Sequence, residues 1–267
     1  MPSIDFDDLL AQADRLRDSA RVDEAINAYK EIAGLATDNH ELFFKARALH
    51  LAGVSAKEAV LSKDSSYYRD ALAFFTAAEQ GYRSLGDQVR LGSLYRDIAI
   101  VADYANDFQV AINYFQKAIE ILESTEAYGE LAVTYDKLGV HYYKQNLVAE
   151  AEPFNDKALK LFKQEPTAGF YRATTLFDGA RIKFRIGNFE RSLELAEESL
   201  GWFRADHPET NYTRRLTQII GLLSAAENEL GNQSKAQRYY RQYQDLLKGF
   251  NPLAARVIEK DLQELAR

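Results

Sequence analysis

Cysteine is absent from the 267 residues, which excludes disulfides, thiolate metal ligands and thiolate nucleophiles. Proline and glycine are sparse, at 5 and 14 residues, too few for the turn-rich connectivity of an all-β chain. No window approaches 18 consecutive apolar residues, and the segment Met1 to Gln12 carries acids where a secretory leader has a basic stretch and an apolar run. The expectation is a cytoplasmic chain without membrane association. Concentrated positive charge is also missing. With 33 Lys and Arg against 40 Asp and Glu the net charge is −7, so nucleic acid is not an expected partner.

Catalytic and cofactor signatures are lacking as well. The glycines are isolated and form no phosphate-cradling loop, and no Gly-x-Ser-x-Gly elbow occurs. The histidines, His40, His50, His141 and His207, have no His or acidic neighbours in a known metal-ligand pattern. No cofactor, metal or enzymatic activity is expected. His141 reads as a surface or partly packed side chain.

What is present is a repeat. Ala71-Leu72, Phe75 and Ala78 return 40 residues on as Ala111-Ile112, Phe115 and Ala118, and again as Ala151, Asn155 and Ala158. Looser copies begin at Ala25, Ser192 and Ala236, making six. About twelve residues before each alanine lies a second fragment, clearest as Tyr135, Leu138-Gly139 and Tyr142, and repeated as Tyr95, Ile98-Ala99 and Ala102 and as Leu49, Ala52-Gly53 and Ala56. Spacings of three and four put each fragment on one helical stripe, and the small residue at its centre admits a neighbouring helix. Turns such as Ile186-Gly187-Asn188 join the two helices of each unit into a hairpin.

These fragments resemble the signature of the tetratricopeptide-repeat family, in a long-period form of about 40 residues similar to kinesin-light-chain and bacterial regulator repeats. The resemblance implies an all-α, right-handed superhelical solenoid of about six hairpins plus a C-terminal capping helix. The repeats are placed at about 6–37, 40–85, 88–125, 128–165, 168–205 and 209–249, with the cap at 252–267, as one domain spanning 1–267. The cap's apolar stripe is Leu253, Val257, Ile258, Leu262 and Leu265. Three irregularities stand out. About six additional residues near Ser62 predict a protruding loop, Pro153 is placed close to a helix start, and Asp206-His207-Pro208-Glu209-Thr210 reads as capping chemistry at another.

By the same resemblance, ligands are held in a concave groove lined by the first helices. The positions between packing residues are Ser93, Arg96, Ile100, Asp103 and Tyr104, then Val133, Asp136, Val140, Tyr143 and Lys144, then Thr174, Phe177, Arg181, Phe184 and Arg185. Such a basic and aromatic set would attract an acidic or aromatic peptide. Two placements remain open, since Phe177 and Phe184 can instead be core and the arginines can pair with acids on adjacent helices. Trp202 is likewise either a partner anchor or a plug between repeats. Asn106, Asn146, Asn188 and Asn232 fall in turns, which disfavours the family's chaperone-binding carboxylate clamp and its asparagine-lined pheromone groove. The expected function is a non-catalytic adaptor or scaffold for another protein or peptide. The alternatives are a regulatory sensor that changes curvature on binding a small molecule or signal peptide, and an enzyme built on an unforeseen carboxylate pair. The sequence gives no sign of oligomeric state.

Overall fold

The computed structural model describes residues 4–62, 64–164, 169–205 and 212–265. The described residues form thirteen α-helices and no strand. They are α1 (Phe6–Asp18), α2 (Val22–Asp38), α3 (Leu42–Leu61), α4 (Tyr68–Leu85), α5 (Gln88–Tyr104), α6 (Phe108–Glu123), α7 (Tyr128–Lys144), α8 (Val148–Phe162), α9 (Gly169–Arg185), α10 (Phe189–Ala205), α11 (Thr213–Glu229), α12 (Gln233–Leu247) and α13 (Pro252–Leu265). They group into two compact units, Met1–Thr134 and Tyr135–Arg267, divided within α7. The architecture is an all-α solenoid of helical hairpins.

Five of the six hairpins close through the same three-residue turn. The middle residue is left-handed in each of the five: Ala20, Asn106, Asn146, Gly187 and Gly231. The residue after it donates its backbone N–H to the carbonyl five positions back, as in Asp107 to Ala102 at 2.9 Å and Asn188 to Lys183 at 2.9 Å, satisfying carbonyls that the helix end would leave orphaned. Several helix starts are capped by side chains. Asp5 accepts from the Asp8 N–H, Asp87 from Arg90 and Asn188 from Arg191, at 3.0 to 3.1 Å.

In the first unit, the second helix of one hairpin packs on the first helix of the next, α2 on α3 and α4 on α5, while α3 also touches α1 and α5. The repeating alanines and aromatics fill the spaces within and between hairpins: Phe75 lies against Gly53 and His50 of its own hairpin, and Ala71, Phe75, Ala78, Ala111, Phe115 and Ala118 are all closed off from solvent. The second unit repeats the pattern, with α8 on α9, α10 on α11 and α9 beside α11. Where the repeat departs from its aromatic, Asn155 takes the place of Phe75 and Phe115. Its amide donates to the Thr175 carbonyl at 3.0 Å, and Gly179 leaves it room, because a β-carbon there would collide with it. The neighbouring Phe154 supplies the lost ring, stacking on Tyr142 with centroids 5.4 Å apart.

Several expectations are corrected. The insertion near Ser62 does not protrude. It lengthens α3 to 20 residues and folds Ser65–Tyr67 into a 3₁₀ turn against α3 and α4, with the Tyr67 hydroxyl donating to Asp23 at 2.6 Å. Pro153 lies six residues into α8, which continues through it; the deprived carbonyl belongs to exposed Ala149, where water can satisfy it. His141 is buried. The stripe of α13 is turned: Leu253 and Val257 are 73% and 37% exposed, whereas Ile258 is buried. The segment Asp206 to Thr210 lies outside the described residues. Trp202 sits half-buried in an aromatic cluster with Phe170, Phe203 and Tyr212, the setting of a plug.

Because alanine pays a steric cost at positive φ that glycine does not, Ala20 (φ 57°) and Gly187 (φ 80°) form an opposed pair. Ala20→Gly is expected to raise stability and Gly187→Ala to lower it, each by about 1 kcal/mol, measured as urea midpoints.

Candidate functional site

The first helices bring polar side chains together inside each unit. In the first unit, Asp97 on α5 is buried, and its carboxylate accepts from Lys57 Nζ at 2.7 Å and meets His50 Nε2 at 3.1 Å, both from α3. The other ring nitrogen of His50 lies 3.2 Å from the Tyr82 hydroxyl. Burial alone would raise the Asp97 carboxyl, but Lys57, the His50 hydrogen bond and Arg96 outweigh it and hold the group far below the ordinary carboxylate range. It is a fixed anion at neutral pH and not a proton donor.

Arg96 is half-buried on the same helix. Its guanidinium donates to Glu130 of α7 at 2.5 Å, and the Ser93 hydroxyl donates to the same oxygen at 2.7 Å. Against the cost of burial, these partners lower the Glu130 carboxyl. Farther along α5, Ile100 is half-buried and Tyr104 exposed, while Asp103 is buried. Arg96 therefore presents a charge already engaged by an acid on a neighbouring helix.

In the second unit the candidates divide between surface and core. Tyr143 of α7 is half-buried, with the Arg181 guanidinium 4.7 Å and the Arg185 guanidinium 5.8 Å from its ring centre, both from α9. Arg181 also lies 3.7 Å from Asp178, and Arg185 donates to Asn146 Oδ1 at 2.5 Å. Lys144 is exposed at the end of α7 and Val140 half-buried. Phe177 and Phe184, at 2% and 6% exposure, belong to the core with Ala173, Leu176, Ile219 and Leu223. Their rings are covered because α9 is packed by α8, α10, α11 and α13. Of the two placements open to them, the core is the one observed. The face of Phe177 that remains is covered by Arg215, 4.9 Å from its centre.

Asp136 is buried rather than presented to a groove. Lys137 donates to one of its oxygens at 2.8 Å, while the other finds no partner. Burial and the neighbouring Asp178 push the Asp136 carboxyl up, against the pull of Lys137 and Thr175. The Lys137 ammonium is opposed by burial but raised overall by Asp136 and Asp178. His50, Lys57, Asp97, Lys137, Asp178 and Arg215 are the interacting groups that reading for groove positions passed over. A signal existed for three of them, since Asp97, Lys137 and Asp178 each stand two places before the small residue of their stripe, Ala99, Gly139 and Ala180.

Among the described residues no helix is long and apolar enough to cross a membrane. No protein-family model matches the chain, and no curated protein matches it. Solved structures do. BtubC from P. vanneervenii is 16% identical over 94% of this chain and 95% of its own, with a TM-score of 0.68. A signal transduction ATPase with a tetratricopeptide repeat sensor from Pyrococcus horikoshii is 16% identical over 99% of this chain and 40% of its own, at 0.71. NprR, solved in complex with its cognate peptide NprX, is 14% identical over 99% of this chain and 74% of its own, at 0.58. At these identities the likeness is one of fold.

The two buried aspartates predict unequal responses. Asp97 has a folded pKa below its unfolded value of about 4, so its contribution is complete above that pH and is lost as pH falls toward the folded value. Asp97→Asn should cost about 3 kcal/mol at pH 7, with the gap to the unmodified chain closing below about pH 4. Asp136, shifted upward, gains nothing from ionising, and Lys137 keeps Asp178. Asp136→Asn should therefore change stability by less than about 1 kcal/mol. Thermal melts from pH 3 to 8 check both.

Proposed function

We propose that this tetratricopeptide-like helical repeat protein is a non-catalytic binding module that holds a peptide or partner segment against its first-helix faces, acting as a cytoplasmic adaptor. The six hairpins and the C-terminal helix act together as one domain in this reading. The observation that carries it is the arrangement around Tyr143, a half-exposed ring flanked by Arg181 and Arg185 on the neighbouring first helix. An aromatic face bordered by two planar cations suits a ligand that offers carboxylates and a ring or an apolar side chain. On the first unit, Arg96, Ile100 and exposed Tyr104 offer the same mixture along α5. NprR, which shares the fold, was solved with a peptide bound, and that supports the class of ligand.

The sensor reading has its own support in the Pyrococcus horikoshii protein, whose repeat is described as a sensor. In that case ligand binding on these faces would alter how the chain engages a separate effector. Scattering curves that coincide with and without ligand would count against it.

The discriminating experiment avoids the fully buried residues. Phe184→Ala would open a cavity in the core and cost about 3 kcal/mol, confusing lost binding with lost folding. Tyr143→Ala with Arg181→Glu removes no fully buried side chain. Tyr143 packs on the edge of that core, so retained helical circular dichroism and an unchanged melting midpoint are required of the variant. A displayed random-peptide library selected on the unmodified chain should yield acidic or aromatic sequences whose affinity for the double variant falls at least about tenfold, or 1.4 kcal/mol. Selected peptides that bind both proteins equally would refute the assignment of this face.

A further inference from the structure

The last helix does not continue the stack of hairpins. α13 packs on α11 and reaches α9, two first helices of the second unit, so a segment of the chain itself lies on the kind of face assigned above to a partner. One line of α13 makes the contact. Ile258 is 1% exposed, Leu262 lies over Gly221 of α11, and Asp261 accepts from Gln218 Nε2 at 2.9 Å. Arg185 donates to the backbone carbonyl of Glu264 at 3.3 Å. Aliphatic anchors at i and i+4 with a carboxylate at i+3 form the pattern of an amphipathic helix laid in a groove.

Three observations set this helix apart from a permanent cap. Its burial is thin, since Ile258 is its single fully buried residue among those described, and Leu253 and Val257 form an apolar edge facing solvent. Its seat is imperfect. Tyr243 lines a small cavity with Phe177, Arg181 and Ile258, and its buried hydroxyl has no hydrogen-bond partner. A ligand that placed an acceptor opposite that hydroxyl would be held better than α13 is. Finally, α13 carries its own start signal, with Pro252 at its first position and the Asn251 side chain accepting from the Ala254 N–H at 2.9 Å. It need not borrow a cap from the hairpins.

We infer that α13 is a displaceable intramolecular ligand, and that the α9–α11 face beneath it takes an amphipathic helix of another protein with aliphatic residues at i and i+4 and a carboxylate at i+3. This rests on the reading that the first helices are the binding face. A tethered segment competes at an effective concentration on the order of millimolar. The partner's helix therefore binds only where its own fit exceeds that of α13, and α13 sets the threshold.

The probe is a fluorescent synthetic peptide of residues 251–267, titrated into three forms of the whole 267-residue chain. One is unmodified. The second carries Ile258→Asp and Leu262→Asp, which loosen α13. The third carries Gln218→Cys and Asp261→Cys joined by a short reducible bismaleimide, a bridge made specific by the absence of other cysteines. The loosened chain should bind the peptide at least tenfold more tightly than the unmodified one. The bridged chain should bind none until reduced. Equal affinity in all three forms, or no binding to a loosened chain that keeps its helical circular dichroism, would overturn the proposal. Should the loosened chain fail to fold, the bridged and reduced forms decide, and equal binding by both overturns it. A bridge linking two chains, seen as doubled mass, assigns the seat to a second copy and overturns a separate partner. The probe comes from this chain, so failure here leaves the library selection standing, and an empty library leaves this result standing.

Discussion

The close approach of helices at one small residue on each first helix is the constraint on which the rest of the structure depends. A β-carbon at Gly53 would fall 2.5 Å from the Phe75 ring, one at Gly92 2.5 Å from Leu122, and one at Gly221 3.1 Å from Tyr243. A helical hairpin cannot bury its own apolar faces. Inside each of these hairpins a large side chain of the second helix enters the first helix where it has no side chain to displace, and the paired helices then stack on the next hairpin. The helices are then surrounded. Along α9 the buried run extends from Ala173 to Ala180 and takes in Thr174, Thr175 and Asp178.

Polar groups caught on a surrounded helix must find partners there, and the repeat register determines which. Relative to the small residue, His50, Arg96, Asp136 and Phe177 occupy one repeat position, and Leu51, Asp97, Lys137 and Asp178 the next. In the first unit Asp97 meets His50 of the preceding repeat, with Lys57 of the same helix closing the other oxygen. In the second, the charges of Asp136 and Asp178 act on Lys137 from its own and the following first helix. Such buried pairs add little net stability over apolar packing, yet leaving one member alone costs several kcal/mol. They therefore penalise a slipped register more than they reward the correct one.

The repeat itself was legible in the sequence because alanines at fixed spacing and turn residues such as Asn106, Asn146 and Gly187 each have one physical use. Those residues stand in the turns with positive φ, as their chemistry requires. The side of a helix that faces outward was harder to read. Phe177 and Phe184 lie among polar residues, Thr174, Asp178, Arg181 and Lys183, which resemble an exposed face. Yet Lys183 is buried too, donating to Glu152 at 2.6 Å and Asp156 at 3.2 Å. Polarity marks solvent only when no partner lies across the gap, and that partner belongs to another helix. The same holds for His50 and Asp97, 47 residues apart, and for α13, whose stripe could be turned because nothing in its own sequence names the surface beneath it.

The arginines of the candidate faces also bear on how any ligand gains affinity. Arg96 is engaged by Glu130, Arg181 lies near Asp178, and Arg185 bonds Asn146 and the Glu264 carbonyl. A ligand carboxylate arriving at one of them exchanges one anion or acceptor for another, so the net electrostatic gain is a difference between two similar interactions. Affinity must then come mainly from apolar anchors that fill space more completely than Ile258 and Leu262 do. Charge selects which ligands approach an otherwise acidic protein and in which orientation, while packing decides which of them stay.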